Sequence, residues 1–315
     1  MQRMNGGTCH RSCRLTNFYS EFVKATAFFC GRMAGDMVQY YHMNDEKNRI
    51  GENDMELLNQ VLEIVKEAAK FCKREEVEVY CKEGNSNFVT TADWNVENFL
   101  KEKLLDILPE SGFVGEESEA KDYEKPLQWI VDPVDGTANF IRELNLSAIS
   151  VGLVENGEAI LGVIYNPFTD EAYYAQKGKG AYMNGKPIHV SDRDFSHAQF
   201  CVGFCLYDKT KADACFRIFE RVYMECDDMR RLGAASVELA ALAAGKTDMF
   251  FEIRLSPWDY AASVAIITEA GGYVGSREGA PIRFDKQVTV IAANSKENFD
   301  RLVGIADEEM EGMEI

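Results

Sequence analysis

The chain has 315 residues, 46 % hydrophobic and 27 % charged, with 52 Asp and Glu against 34 Lys and Arg and a formal net charge of −18. These proportions suit a folded protein with one large core or two fused halves, and they exclude a disordered or fibrous chain. The acidic excess opposes electrostatic binding to nucleic acid or to anionic membranes.

Residues Met1 to about Gly51 show no sustained period of 2 or 3.6, so residues 1–52 are expected to be a poorly structured extension, with Met43 or Met55 as an alternative start of translation. The CHRSC run from Cys9 to Cys13 has no second Cys/His pair at ligand spacing, so no zinc site is predicted. The nine cysteines are odd in number and contain no CxxC pair, which predicts buried free thiols in a reducing compartment. Apolar stretches such as Ala25 to Cys30 are too short for a signal-peptide core or a membrane span, and a cytoplasmic protein is expected.

Helical spacing begins after Asn53. Asp54 reads as a cap, and Leu57, Leu58, Val61, Ile64, Val65, Ala68 and Cys72 recur on one face. A second helix is expected after Asp93, with Val96, Phe99, Leu100, Leu104 and Ile107 on one face and Pro109 ending it. Trp129 to Asp132 reads as a short strand running into a turn. Ser147 to Val154 and Glu158 to Tyr165 read as a hairpin about the type I′ pair Asn156-Gly157. Beyond Ser191, strand and helix alternate: Phe200 to Phe204, Ala212 to Val222, Ala235 to Ala244, Asp248 to Phe251, Trp258 to Ala270, Val288 to Ala292, and a helix from Ser295. The folded part thus divides into an α+β half, 53–192, and an α/β half, 193–315, sharing an interface and a cleft.

The chemistry concentrates in the run WIVDPVDGT, Trp129 to Thr137. Pro133 fixes its own φ and Gly136 permits a tight turn, so the carboxylates of Asp132 and Asp135 can converge at a strand end. Two carboxylates facing one cavity repel unless a cation or proton lies between them, and a hard divalent cation such as magnesium takes oxygen ligands of this kind. The N–H groups of Gly136 and Thr137 stand at a helix start and suit phosphate oxygens. Taken alone, DPVDG also reads as an ordinary turn with a capping Asp. Two further clusters share its character: GEES puts Glu116 at a strand end, and SPWDYAAS puts Asp259 at a helix start.

The motifs FVTTAD, GEES, WIVDPVDGTANF and SPWDYAAS stand in the order and approximate spacing of the inositol monophosphatase family, which the chain resembles from about Asp54 to its C-terminus. The resemblance implies a layered α-β-α-β-α sandwich of two fused halves, usually a homodimer, that uses two or three magnesium ions to transfer a phosphoryl group to water. It further implies that Glu116, Asp132, the Val134 carbonyl, Asp135 and Asp259 ligate metal, with Asp132 bridging two ions. Asp93 and Thr137 resemble the pair that positions and deprotonates the attacking water, and Lys82 the basic residue facing the phosphate. Gly136 and Thr137 would hold phosphate, while Gly233, Ala234, Ala235 and Glu252 would form the substrate-side wall. Asn87, Ala234 and Arg254 depart from the family's usual Asp, Ser or Thr, and Gly. A small polyol or sugar phosphomonoester, typified by myo-inositol 1-phosphate, is the expected substrate. Fructose 1,6-bisphosphate and a 3′(2′),5′-bisphosphate nucleotide are the alternatives, and a silent sugar-phosphate sensor is the reading outside enzymes.

Overall fold

The structure is a computed structural model and describes residues 55–73, 77–82, 88–119, 121–204, 209–277 and 280–311. Leu57 to Ile315 form one compact unit. The expectations for residues 1–52, for the cap at Asp54 and for Asn87 lie outside the described residues.

Helix α1 (Glu56–Ala68) buries Leu58, Val61, Leu62, Val65 and Ala68, while Leu57 and Ile64 are only half-buried. A two-stranded ribbon, β1 (Val79–Cys81) and β2 (Phe88–Thr90), leads into helix α2 (Thr91–Ile107). This helix begins earlier than the sequence suggests. Thr90 is its cap, with Oγ1 accepting from Ala92 N while the Asp93 carboxylate accepts from Thr90 N. Asp93 is therefore the third helical residue, because the reciprocal pair of a capping box draws the preceding threonine into the helix start.

Seven strands follow in spatial order β3 (Gly112–Gly115), β4 (Leu127–Asp135), β5 (Ala148–Glu155), β6 (Glu158–Asn166), β7 (Glu171–Gln176), β8 (Ala181–Met183) and β9 (Lys186–Ile188). Only β3 and β4 are parallel. The expected β5–β6 hairpin is present, and its turn residues Asn156 and Gly157 take φ of 51° and 81°, as a type I′ turn requires. A second sheet has the order β11 (Asp228–Arg230), β10 (Gln199–Val202), β12 (Met249–Leu255), β14 (Val288–Ala293), β13 (Tyr273–Ser276).

Between β4 and β5 lies the short helix α3 (Thr137–Ile141). Helices α5 (Ala235–Ala243) and α6 (Pro257–Glu269) are apolar almost all round and nearly wholly buried, as a layer between two sheets requires. They pack on each other, α6 covers β4 to β7, and α5 touches β12. On the far face of the second sheet lie α4 (Ala212–Tyr223) and α7 (Lys296–Glu309), and α2 covers β3 and β4. The layers run helix, sheet, helices, sheet, helices, as expected. Among the described residues no helix is long and apolar enough to cross a membrane.

Candidate active site

Asp132 and Asp135 lie at the end of β4, where pairing with β5 slips from Asp132↔Ser150 to Asp135↔Ala148. The slip is a β-bulge, which suits Pro133, a residue with no N–H to give to the ladder, and it turns both carboxylates toward one side. They are 2 % and 8 % exposed. Asp132 Oδ1 accepts from Val134 N at 3.0 Å. Asp135 Oδ2 accepts from Ser236 N at 2.7 Å and Ser236 Oγ at 2.5 Å, so the first turn of α5 is docked onto it. Gly136 caps α3 at φ 81°, and a Cβ there would lie 2.8 Å from Ala234 Cβ and 3.0 Å from Leu146 O. Only glycine fits, both for its dihedral and for the approach of the Ala234 loop.

Glu116 extends the β3–β4 pairing by one bond, its N–H donating to Val131 O at 3.1 Å. The loop that carries it is held from behind by Glu97, which accepts from Glu117 N at 2.8 Å and Ser118 Oγ at 2.6 Å. Lys121 donates to Gly115 O and to Glu116 O and sits 4.0 Å over the Trp258 ring, joining this loop to the start of α6. There Asp259 is the third helical residue, and its Oδ2 accepts from Ser256 N at 2.7 Å. Lys82 donates to Glu116 Oε1 at 3.1 Å and also to Glu117.

A cavity of about 430 Å³ gathers these groups. Every site residue named from the sequence lines it except Asp93: Lys82, Glu116, Asp132, Val134, Asp135, Gly136, Thr137, Gly233, Ala234, Ala235, Glu252 and Asp259. Asp93 is fully buried beside it, and its charge contributes to raising the pKa of Asp132. No hydrogen bond links Asp93 to Thr137, whose Oγ1 donates instead to Val134 O at 3.1 Å. Sequence reading missed Ser236, Glu238 and Asn139. Glu238 accepts from Leu232 N and Gly233 N, and Asn139 donates to Leu232 O and Leu146 O, so together they clamp the substrate-side loop. Their partners are remote in sequence or contribute only backbone, and no residue pattern announces such bonds.

Burial, then the charges of Glu116, Asp135, Asp259 and Asp93, lifts Asp132 far above the usual carboxylate range. Burial, then Asp135 and Glu116, does the same to Asp259. For Asp135, burial raises the pKa to about 6 against the pull of the Ser236 hydrogen bonds. Burial likewise brings Asp93 to about 7, opposed by its bonds to Thr90 and reinforced by Glu116. Burial disfavours the Lys82 ammonium, but Glu116 and Glu117 outweigh it and hold its pKa above the ordinary value.

For the four aspartates burial is the largest cause, since it disfavours the charged form, and the neighbouring carboxylates add to it. Among the described residues no three Asp, Glu, His or Cys side chains close on a common point. Each of Glu116, Asp132, Asp135 and Asp259 instead turns an oxygen to a donor of the chain itself. The donor set is all oxygen, as a hard divalent cation prefers, and Asp93 Oδ1 is buried without a hydrogen-bond partner. The residues present therefore fit such an ion.

A sequence model of the inositol monophosphatase family matches residues 46–311. The fructose-1,6-bisphosphatase/inositol-1-monophosphatase of Aquifex aeolicus is 36 % identical over 250 residues, covering 79 % of this chain and 92 % of that protein. The inositol-1-monophosphatase of Rhizobium meliloti is 37 % identical over 229 residues, 71 % of this chain and 86 % of its own. Nus factor SuhB of Escherichia coli is 36 % identical over 200 residues, 63 % and 75 % of the two chains. Among solved structures, the extragenic suppressor protein suhB of Bartonella henselae superposes with a TM-score of 0.74 at 31 % identity, covering 82 % of this chain and 99 % of that one. The Thermotoga maritima IMPase gives 0.72 at 29 % identity, covering 82 % and 99 %. With this breadth of match, the chain belongs to the inositol monophosphatase family and is a phosphomonoester hydrolase.

Proposed function

We propose that the protein is a magnesium-dependent phosphatase acting on a small polyol or sugar phosphomonoester, with myo-inositol 1-phosphate first and fructose 1,6-bisphosphate second. The observation that carries this is the meeting of Glu116, Asp132, Asp135 and Asp259, drawn from three separate segments, on one cavity. With the Val134 carbonyl they would hold the ions. Bound magnesium would supply the positive charge that neutralises the phosphoryl oxygens and lowers the pKa of the attacking water.

The chain's own groups do the rest. Backbone N–H groups of Gly136 and Thr137 receive phosphate oxygens at the start of α3. Thr137 Oγ1 orients the water, and Asp93, whose burial lifts its pKa toward neutrality, takes the proton through it. Gly233, Ala234, Ala235 and Glu252 bound the leaving alcohol. The family resemblance brings a homodimer, inhibition by lithium and a cytoplasmic location into the same reading.

Phosphate release measured with and without magnesium tests it. Asp132→Asn and Asp259→Asn keep the shape but remove charge, so each should abolish magnesium-dependent turnover while the far-ultraviolet circular dichroism stays that of the wild type. Near-normal turnover in either variant would overturn the ligand assignment, and no release from any phosphomonoester by the wild type would favour a silent sensor.

A further inference from the structure

We propose that Arg254 is a specificity-determining residue that receives a second anionic group on the substrate, so that sugar or polyol bisphosphates are preferred over the matching monophosphates. The inference rests on the phosphatase reading above and narrows its substrate class.

The backbone supplies the first reason. Strand β12 pairs with β14 as Glu252↔Val290 and then as Leu255↔Val288, so β12 carries one extra residue between those positions. In this bulge Arg254 takes φ 57°, in the left-handed region that glycine enters freely and a long side chain does not. Strain of this kind persists where the surrounding structure fixes it, and a bulge re-aims side chains near a site. Here the re-aimed strand end, Glu252 to Leu255, forms one wall of the cavity.

Charge supplies the second. Lys82 lines the cavity on the side where the carboxylates gather and donates to Glu116 and Glu117. Arg231 and Arg254 line the same cavity from the other segments, Arg231 with its guanidinium 5.7 Å from the Phe204 ring centroid. A guanidinium offers a planar fork that matches phosphate oxygens and stays charged at any working pH. A cavity of about 430 Å³ has room for a sugar with both groups. The remote phosphate is held and not cleaved.

Fructose 1,6-bisphosphate and fructose 1-phosphate share one phosphate and differ only in the remote one. Their kcat/KM values are measured with magnesium for the wild type, Arg254→Gly and Arg254→Gln, with p-nitrophenyl phosphate as a third substrate. Glycine accepts the left-handed φ without strain, so Arg254→Gly should melt no lower than the wild type. The wild type should prefer the bisphosphate, and in both variants that preference should shrink about 10- to 100-fold, as expected for losing a charge-assisted hydrogen bond. A wild type with no preference, or a ratio within twofold of the wild type in both variants, overturns the inference while leaving the phosphatase reading intact. If the wild type releases phosphate neither from these three compounds nor from myo-inositol 1-phosphate, the phosphatase reading itself falls, and this inference with it.

Discussion

Asp93 and Asp259 occupy equivalent places in their helices. Each is the third residue of a first turn, and each gives one oxygen to the backbone N–H of its cap, Thr90 or Ser256, at 2.8 and 2.7 Å. In the sequence, a capping Asp and a functional Asp read as alternatives. In the structure they are one residue, because the cap uses a single oxygen and leaves the other for the site. The rule also yields a clean test of water activation. Asp93→Asn keeps an acceptor for Thr90 N, so α2 stays capped while the proton acceptor is lost. Thr137→Ala removes only the hydroxyl that now rests on the Val134 carbonyl. Each should lower kcat about 10²- to 10⁴-fold with little change in KM, since the lost contact acts in the transition state. If the two act as a unit, the double variant should be little worse than either single one. A large rise in KM with kcat kept would assign both residues to substrate binding instead.

At the scale of elements, long and periodic segments were legible before the fold was seen. Helices α1, α2, α4, α5, α6 and α7, the β5–β6 hairpin and strands β10, β12 and β14 stand where apolar spacing puts them, within a few residues. Strands β1, β2, β8, β9, β11 and β13, each of three or four residues, were not legible, because so short a strand is specified by its partner and not by its own pattern. The site follows the same division. Residues whose chemistry is unusual for their position, such as Asp132 and Asp135 beside a Pro, announced themselves. Groups that hold the elements in place did not. Glu238 is the clearest case: it lies inside an apolar helix, is 1 % exposed, and its burial raises its pKa to about 7. Removing it by Glu238→Ala leaves two backbone N–H groups of the substrate-side loop without an acceptor, which should cost about 1–3 kcal/mol of stability. Because that loop touches substrate and not the water, KM should rise more than kcat falls. Equal effects on both parameters, or no loss of melting temperature, would show that the clamp does not set the wall.

The whole molecule depends on how closely α6 can lie on the first sheet, since α6 carries Asp259 to the carboxylates of β4. That closeness rests on two glycines in the hairpin. A Cβ on Gly162 would come within 2.2 Å of Ala262 O, and one on Gly152 within 2.9 Å of Ala261 and Ala262. The core they admit is continuous across residue 192: Val114, Ile130 and Ile164 belong to the same buried cluster as Leu239, Tyr260 and Ile266. The two halves expected from the sequence therefore share this cluster, while a second one, with Phe200, Phe251, Ile291 and Leu302, lies wholly on the C-terminal side of residue 192. Unfolding of the wild type should be one cooperative transition, with tryptophan fluorescence, circular dichroism and activity lost together. Gly162→Ala forces α6 away from the sheet against backbone that cannot yield cheaply. It should cost about 1–3 kcal/mol, the usual range for overpacking. Its effect on function should then exceed its effect on stability, because a small outward shift of α6 moves Asp259 away from Asp132 and Asp135. At a temperature where the variant is fully folded, the magnesium concentration for half-maximal rate should rise several-fold, whereas an equally destabilising change in the α4–α7 layer, such as Leu302→Val, should leave it unmoved. If the two variants respond to magnesium alike, the position of α6 is not what joins the second half of the chain to the metal-binding end of β4.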